Sequence, residues 1–240
     1  MPENSTIMAT VPETLQAVLA RIEAAARAAG RDPASVRLVA VSKTFAPPAL
    51  RAAWAAGPRA FGENYVQEAL DKMAALADLP LEWHLVGPLQ SNKTRAVAER
   101  FDWVHTVDRE KVARRLSEQR PAILAPLQVL VQVNVSGEVS KSGVAPGEVA
   151  ALARAVAGMP RLRLRGLMAV PEPTPDAGLQ RARFRALREL QESLRREGLA
   201  LDTLSMGMSD DMEAAIAEGS TMVRIGTAIF GERTKVRDAA

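Results

Sequence analysis

From Val36 onward the chain alternates between short apolar runs and longer segments whose apolar residues recur at helical spacing. The runs predict strands over residues 36–43 (VRLVAVSK), 59–64 (RAFGEN), 81–88 (LEWHLVGP), 102–108 (DWVHTVD), 127–135 (LQVLVQVNV), 162–170 (LRLRGLMAV), 201–207 (LDTLSMG) and 222–231 (MVRIGTAIFG). Helices are predicted between them over 47–56, 65–76, 92–99, 109–119, 146–157, 177–197 and 210–218. Each spacer is long enough for a parallel crossover of about a dozen residues, and strand–helix alternation argues for a parallel sheet.

One more helix precedes the alternation. Thr10-Val11-Pro12-Glu13 reads as a capping box with proline in the first turn, and Leu15, Val18, Leu19, Ile22 and Ala26 follow at helical spacing. Gly30 reads as its stop, and Asp32-Pro33 turns the chain. Eight strands with seven intervening helices predict the α/β class and a single (β/α)8 TIM barrel, with the extra N-terminal helix in the place of the missing eighth. The expected domain spans 1–240, with its core over about 10–232; the last run ends close to residue 240, so no second domain is expected. An open doubly wound sheet is the competing architecture, but no glycine-rich phosphate turn follows the first strand.

Composition narrows the classes. Hydrophobic residues make up 48% and charged residues 25%, the balance of a soluble globular chain. Cysteine is absent, which excludes disulfides and thiolate chemistry, and two histidines cannot make a histidine-rich metal site. The net charge is only +3, and no basic block is interleaved with aromatics, so no nucleic-acid partner is expected. No run has the length of a membrane helix, and the N-terminus lacks signal-peptide regions; a cytoplasmic protein without a membrane partner is expected.

Active sites of such barrels lie at the C-terminal strand ends. Lys43 ends the first strand, in a chain with six lysines against twenty-five arginines. One reading is a solvated lysine. The other is an amine that loses its proton and condenses with an aldehyde, which a guanidinium cannot do. On the seventh strand, Ser209 is placed as the N-cap of the 210–218 helix, where amides point at an anion. Gly226 and Thr227 end the eighth strand, the other usual phosphate corner of these barrels. Asp210 and Asp211 would then have to point away from the anion. Arg224 interrupts an apolar strand and needs a partner, either a buried carboxylate such as Glu63 or a ligand heteroatom. An aldehyde-trapping lysine, a phosphate cup and a buried arginine together describe pyridoxal 5′-phosphate (PLP).

The segments VAVSKT, FGENYVQEA, EWHLVGPLQSNK, HTVD, VNVSGEVSKSG, RGLMAV, LSMGMSDDMEAAI and GSTMVRIGTAIFG resemble the pyridoxal phosphate homeostasis protein family, single-domain relatives of the alanine racemase barrel. The resemblance implies that Lys43 is the Schiff-base lysine, that Arg224 lies beside the pyridine nitrogen, and that Ser209, Gly226 and Thr227 hold the phosphate. Asn64 and Ser205 look like further cofactor contacts, although Asn64 to Gln67 also reads as a capping box. The racemase's second domain and its tyrosine base are missing, and Phe45 stands where many relatives carry a second lysine.

The implied function is binding of PLP in a homeostatic, carrier-like role rather than efficient catalysis. A PLP-dependent racemase of low activity is the alternative, and a Schiff-base aldolase a third class. Apoenzymes that need PLP are the expected partners, and a monomer is expected because racemases dimerise partly through the absent domain. His84 and His105 read as core histidines, and Lys141 as a loop lysine at the barrel mouth.

Overall fold

Strand β1 (Arg37–Val41) runs parallel to β2 (Ala60–Glu63), and the pairing repeats through β3 (Glu82–Leu85), β4 (Trp103–Val107), β5 (Leu127–Gln132), β6 (Leu162–Met168), β7 (Thr203–Ser205) and β8 (Met222–Ile225). β8 then returns to β1, with Val39 opposite Arg224 and Ala40 opposite Ile225, so the sheet closes into a barrel. The structure is a computed structural model that describes residues 3–137 and 142–232. Lys141 lies outside the described residues.

The period-two alternation of a strand divides the apolar residues between two faces. Leu38, Ala40, Phe61, Leu85, Val104, Leu167, Val223 and Ile225 belong to the large cluster under the helices. Val39, Ala60, Trp103, Leu130, Met168 and Met222 alternate with them and form a separate small cluster, the barrel interior. Burying one such side chain contributes about 1.5–3 kcal/mol. The interior is unusual in also holding His84, His105, Ser205 and Arg224, all buried.

The outer ring is α2 (Pro47–Ala55), α3 (Val66–Ala75), α4 (Thr94–Arg100), α5 (Glu110–Gln119), α6 (Val149–Ala157), α7 (Ala177–Arg196) and α8 (Met212–Ala217). The eighth position is filled by α1 (Glu3–Ala28), which packs against both α8 and α2. Its buried stripe is Val11, Leu15, Val18, Ile22 and Ala26. The helix begins at Glu3 rather than at the expected cap, and Pro12 sits inside it.

The last expected strand is also revised. β8 stops at Ile225, and Thr227–Phe230 form a helical turn, α9. The Gly226 carbonyl accepts from the amides of Ile229 and Phe230, both at 2.9 Å. Thr14 of α1 donates to the Ile229 carbonyl at 2.6 Å. The turn carries Ile229 and Phe230 inward, where a strand continuation would split them between faces. Among the described residues, no helix is long and apolar enough to cross a membrane.

Candidate functional site

A cavity of ≈ 310 Å³ opens at the C-terminal ends of the strands, within the size range of small-molecule sites. Val41 lines it from the end of β1, Lys43 from the loop just after that strand, and Asn64 from the residue after β2. Ser209 follows β7, Arg224 comes from β8, and Gly226 and Thr227 follow β8. Six of the seven residues expected from the sequence therefore share one cavity. Ser205 does not: it is fully buried beneath Arg224, its hydroxyl accepting from Arg224 Nη1 at 2.6 Å. Its hydroxyl supports Arg224 and does not line the cavity.

The backbone around Lys43 is held on both sides. Lys72 of α3 donates from Nζ to the Ser42 carbonyl at 2.7 Å, to Glu63 Oε1 at 2.8 Å and to Glu68 Oε1 at 2.6 Å. Ser42 Oγ donates to the same Glu63 oxygen at 2.6 Å. Thr44 adopts φ 69°, a left-handed conformation rare for a β-branched residue, and its amide donates to Glu68 Oε1 at 2.5 Å. Burial raises the Glu63 carboxyl pKa, against the lowering effect of Lys72 and Ser42. Since Gly62 faces the interior, Glu63 faces outward, so it is not the partner of Arg224 that the sequence left open.

Arg224 has neutral partners instead: Ser205 Oγ, and the Ala169 carbonyl at 2.8 Å from Nη2. Among the described residues no carboxylate lies within salt-bridge distance of it. Burial brings its pKa down to about 10, against the attraction of Asp211, and it stays a cation near neutrality.

The phosphate corner differs in detail from expectation. The N-cap of α8 is Asp211, not Ser209, and it makes no side-chain capping bond. Ser209 Oγ faces the start of α9, accepting from the Ala228 amide at 3.4 Å. Gly226 caps that turn in a tight spot, where an added Cβ would lie 3.1 Å from the Val41 carbonyl. Asp211 turns back onto the Met208 amide at 2.6 Å, and burial raises its pKa. Asp210, expected to point away, lines the cavity rim. α3 begins after Tyr65 without a side-chain cap, so Asn64 serves the cavity wall rather than a capping box. Asn64 is fixed by the close passage of Gly87, where a Cβ would meet the Asn64 carbonyl at 2.3 Å.

Behind Arg224 lies a feature the sequence pattern did not reveal. His105 Nδ1 lies 2.9 Å from Ser205 Oγ, His105 Nε2 lies 2.9 Å from His84 Nδ1, and His84 Nε2 lies 2.5 Å from Glu82 Oε1. Both histidines occupy interior positions of adjacent strands, and that much the alternation carried. Burial lowers the pKa of His84, against Glu82, and lowers that of His105 well below the usual value, with His84 and Arg224 adding to it. Burial alone would raise Glu82, but the bonds from His84 and Arg37 outweigh it and bring it to about 2.

A depressed histidine pKa means that the unfolded chain binds more protons below its own pKa of about 6.5. Stability then falls on acidification from there, by up to ~1.4 kcal/mol per pH unit for each histidine. The raised carboxyls of Glu63, Asp102 and Asp211 act in the opposite sense, their contribution being lost as pH rises through their folded values. The comparison that isolates the ring is urea unfolding of wild type and His105→Asn across that acid range. The variant should show the shallower loss; equal slopes would contradict a neutral buried His105.

A closed parallel barrel with a lysine at the end of β1, facing hydroxyls after β7 and β8, is a barrel of the alanine racemase type. Residues 14–234 match the family described as alanine racemase, N-terminal domain. The pyridoxal phosphate homeostasis protein of Pseudomonas aeruginosa is 65% identical over 226 residues, covering 94% of this chain and 97% of that protein. Its Vibrio cholerae counterpart is 56% identical over 236 residues, covering 97% and 100%. The structure of PipY from Synechococcus elongatus with PLP bound superposes with a TM-score of 0.78 at 40% identity, covering 89% of this chain and 100% of PipY. The chain belongs to the pyridoxal phosphate homeostasis protein family.

Proposed function

We propose that this protein binds PLP through a Schiff base at Lys43 and acts as a carrier or buffer of the cofactor rather than as an efficient catalyst. The observation that carries the reading is the common cavity of Lys43, Arg224, Ser209, Gly226 and Thr227. The donor set fits the group: an amine for an aldehyde, hydroxyls and a bare backbone for a phosphate, and a cation for a ring nitrogen. PipY, 40% identical and solved with PLP bound, supports PLP as the ligand.

When bound, PLP supplies an electrophilic carbonyl and a conjugated ring. The surrounding residues determine how far that chemistry is used. Lys43 offers the amine from a half-buried position on a loop held by Lys72 and Glu68. Ser209 and Thr227 orient the phosphate beside Gly226. Arg224, a buried cation, keeps a proton off the ring nitrogen by like-charge repulsion. An unprotonated ring stabilises carbanions less well. The one tyrosine, Tyr65, is exposed after β2 and does not line the cavity. These features favour holding the cofactor over turning over amino acids, with PLP-requiring apoenzymes as its recipients.

The direct test is borohydride reduction of the PLP-loaded protein followed by peptide mapping. The pyridoxyl label is expected on Lys43; a label on Lys93, Lys141 or another lysine would overturn the assignment. The racemase reading is decided by following optical inversion of L-alanine. Steady multiple turnover would replace the carrier reading.

A further inference from the structure

The polar side chains beneath Arg224 are joined end to end through the barrel. Arg224 Nη1 reaches Ser205 at 2.6 Å, Ser205 reaches His105 at 2.9 Å, His105 reaches His84 at 2.9 Å, and His84 reaches Glu82 at 2.5 Å. Four strands supply them: β8, β7, β4 and β3. Glu82 starts β3 at the far end of the barrel, where it also pairs with Arg37 at 2.9 Å.

The ends of this chain fix its direction. A guanidinium only donates and a carboxylate only accepts. Arg224 donates a hydrogen bond to the Ser205 oxygen, which leaves the serine hydroxyl to donate to His105 Nδ1. His105 then carries its proton on Nε2 and donates to His84 Nδ1. His84 in turn carries its proton on Nε2 and donates to Glu82. With both rings neutral, each ring nitrogen and the serine hydroxyl has its partner along the chain. Stacking against Trp103 (centroids 5.4 Å apart, planes 6° apart) further restrains the His84 ring.

We infer that Glu82, His84, His105 and Ser205 are positioning residues for Arg224, locking its guanidinium against the cavity from the opposite end of the barrel. Arg224 is held at two points, the Ala169 carbonyl and Ser205. The serine keeps its orientation only while His105 Nδ1 accepts its hydrogen bond, and that acceptor depends in turn on His84 and Glu82. Hydrogen bonds in such a chain polarise one another, so a change at Glu82 is felt four bonds away. The consequence for the ligand rests on the reading of Arg224 as the neighbour of the PLP ring nitrogen; the chain itself does not.

The experiment has two arms. In ligand-free protein carrying 15N-histidine, NMR near neutral pH should show both rings neutral with the proton on Nε2. A charged ring, or a proton on Nδ1 in either, overturns the inference. In protein loaded with PLP labelled at the ring nitrogen, Ser205→Ala and Glu82→Leu should shift the ring-nitrogen resonance and weaken PLP binding about tenfold, the scale of one hydrogen bond to a charged group. Glu82→Gln keeps an oxygen acceptor and should stay near wild type. Residues that only support the fold would lower the unfolding midpoint and leave the resonance in place, and an unmoved resonance in Ser205→Ala overturns the inference. If the pyridoxyl label misses Lys43, the cofactor reading fails, while the histidine arm still decides the chain.

Discussion

Lys43→Ala protein is expected to purify without the absorbance of bound PLP and to gain none when the cofactor is added back. Lys43→Arg should behave the same way, although it keeps the charge. A guanidinium stays protonated at any working pH and cannot condense with an aldehyde. The pair of variants therefore separates the need for an amine from the need for a cation. The fold should survive both, because Lys43 is half-buried at a loop rather than in the core, and such changes cost less than about 1 kcal/mol. Linkage gives a second readout. A ligand at a hundred times its dissociation constant stabilises the protein by ~2.7 kcal/mol. Wild type should show that gain with added PLP, and both variants should lose most of it. Retention of the full gain by Lys43→Ala would mean that the amine is not what holds the cofactor.

The barrel was legible because strands covered on both faces must be apolar, and that leaves a one-dimensional trace. The strand ends were overrun for the same reason. Val133 and Ala169 continue the apolar runs past β5 and β6 while belonging to the loops above the barrel. The overrun past Ile225 was larger, since the buried side chains of α9 read in sequence like more strand. Lys43, Arg224, Gly226 and Thr227 were readable as exceptions at the ends of, or within, apolar runs. The capping rule gives Ser209 the wrong local role, because it assigns the residue to the next helix in sequence, whose N-cap is Asp211. Its hydroxyl faces α9, which comes later in the chain. The hidden parts depend on register and on reach between elements. Nothing local says that His84 meets His105, or that Lys72, one residue on a helix, closes back over β2 to Glu63 and the loop after β1.

Lys72→Met tests that hidden closure, and its expected cost is large. Lys72 is 4% exposed and Glu63 not at all. Removing the cation leaves the Glu63 carboxylate buried with only Ser42 on one oxygen, its other oxygen having no partner in either case. Breaking a buried pair from one side costs roughly 3–5 kcal/mol. In a domain of this size that lowers the melting temperature by about 10 °C. The effect has a pH signature. Glu63 already has a raised pKa from burial, with Lys72 opposing the rise, so the variant raises it further. A carboxyl raised in the folded state contributes stability at low pH that is lost as pH rises through its folded value. The deficit of Lys72→Met should therefore be smaller in mild acid than in mild base. Adding Glu63→Leu should recover most of it, since an apolar pair of similar volume is tolerated where a lone charge is not. The loop after β1 should feel the change as well. Lys72 bonds the Ser42 carbonyl and the Glu68 carboxylate that holds Thr44 in its left-handed conformation, so the residues on both sides of Lys43 lose an anchor. Slower capture of PLP by the folded variant is expected to accompany the lower melting temperature. A deficit below about 1 kcal/mol in mild base, the scale of an exposed ion pair, would show that the cluster is solvated in solution and does not hold the loop.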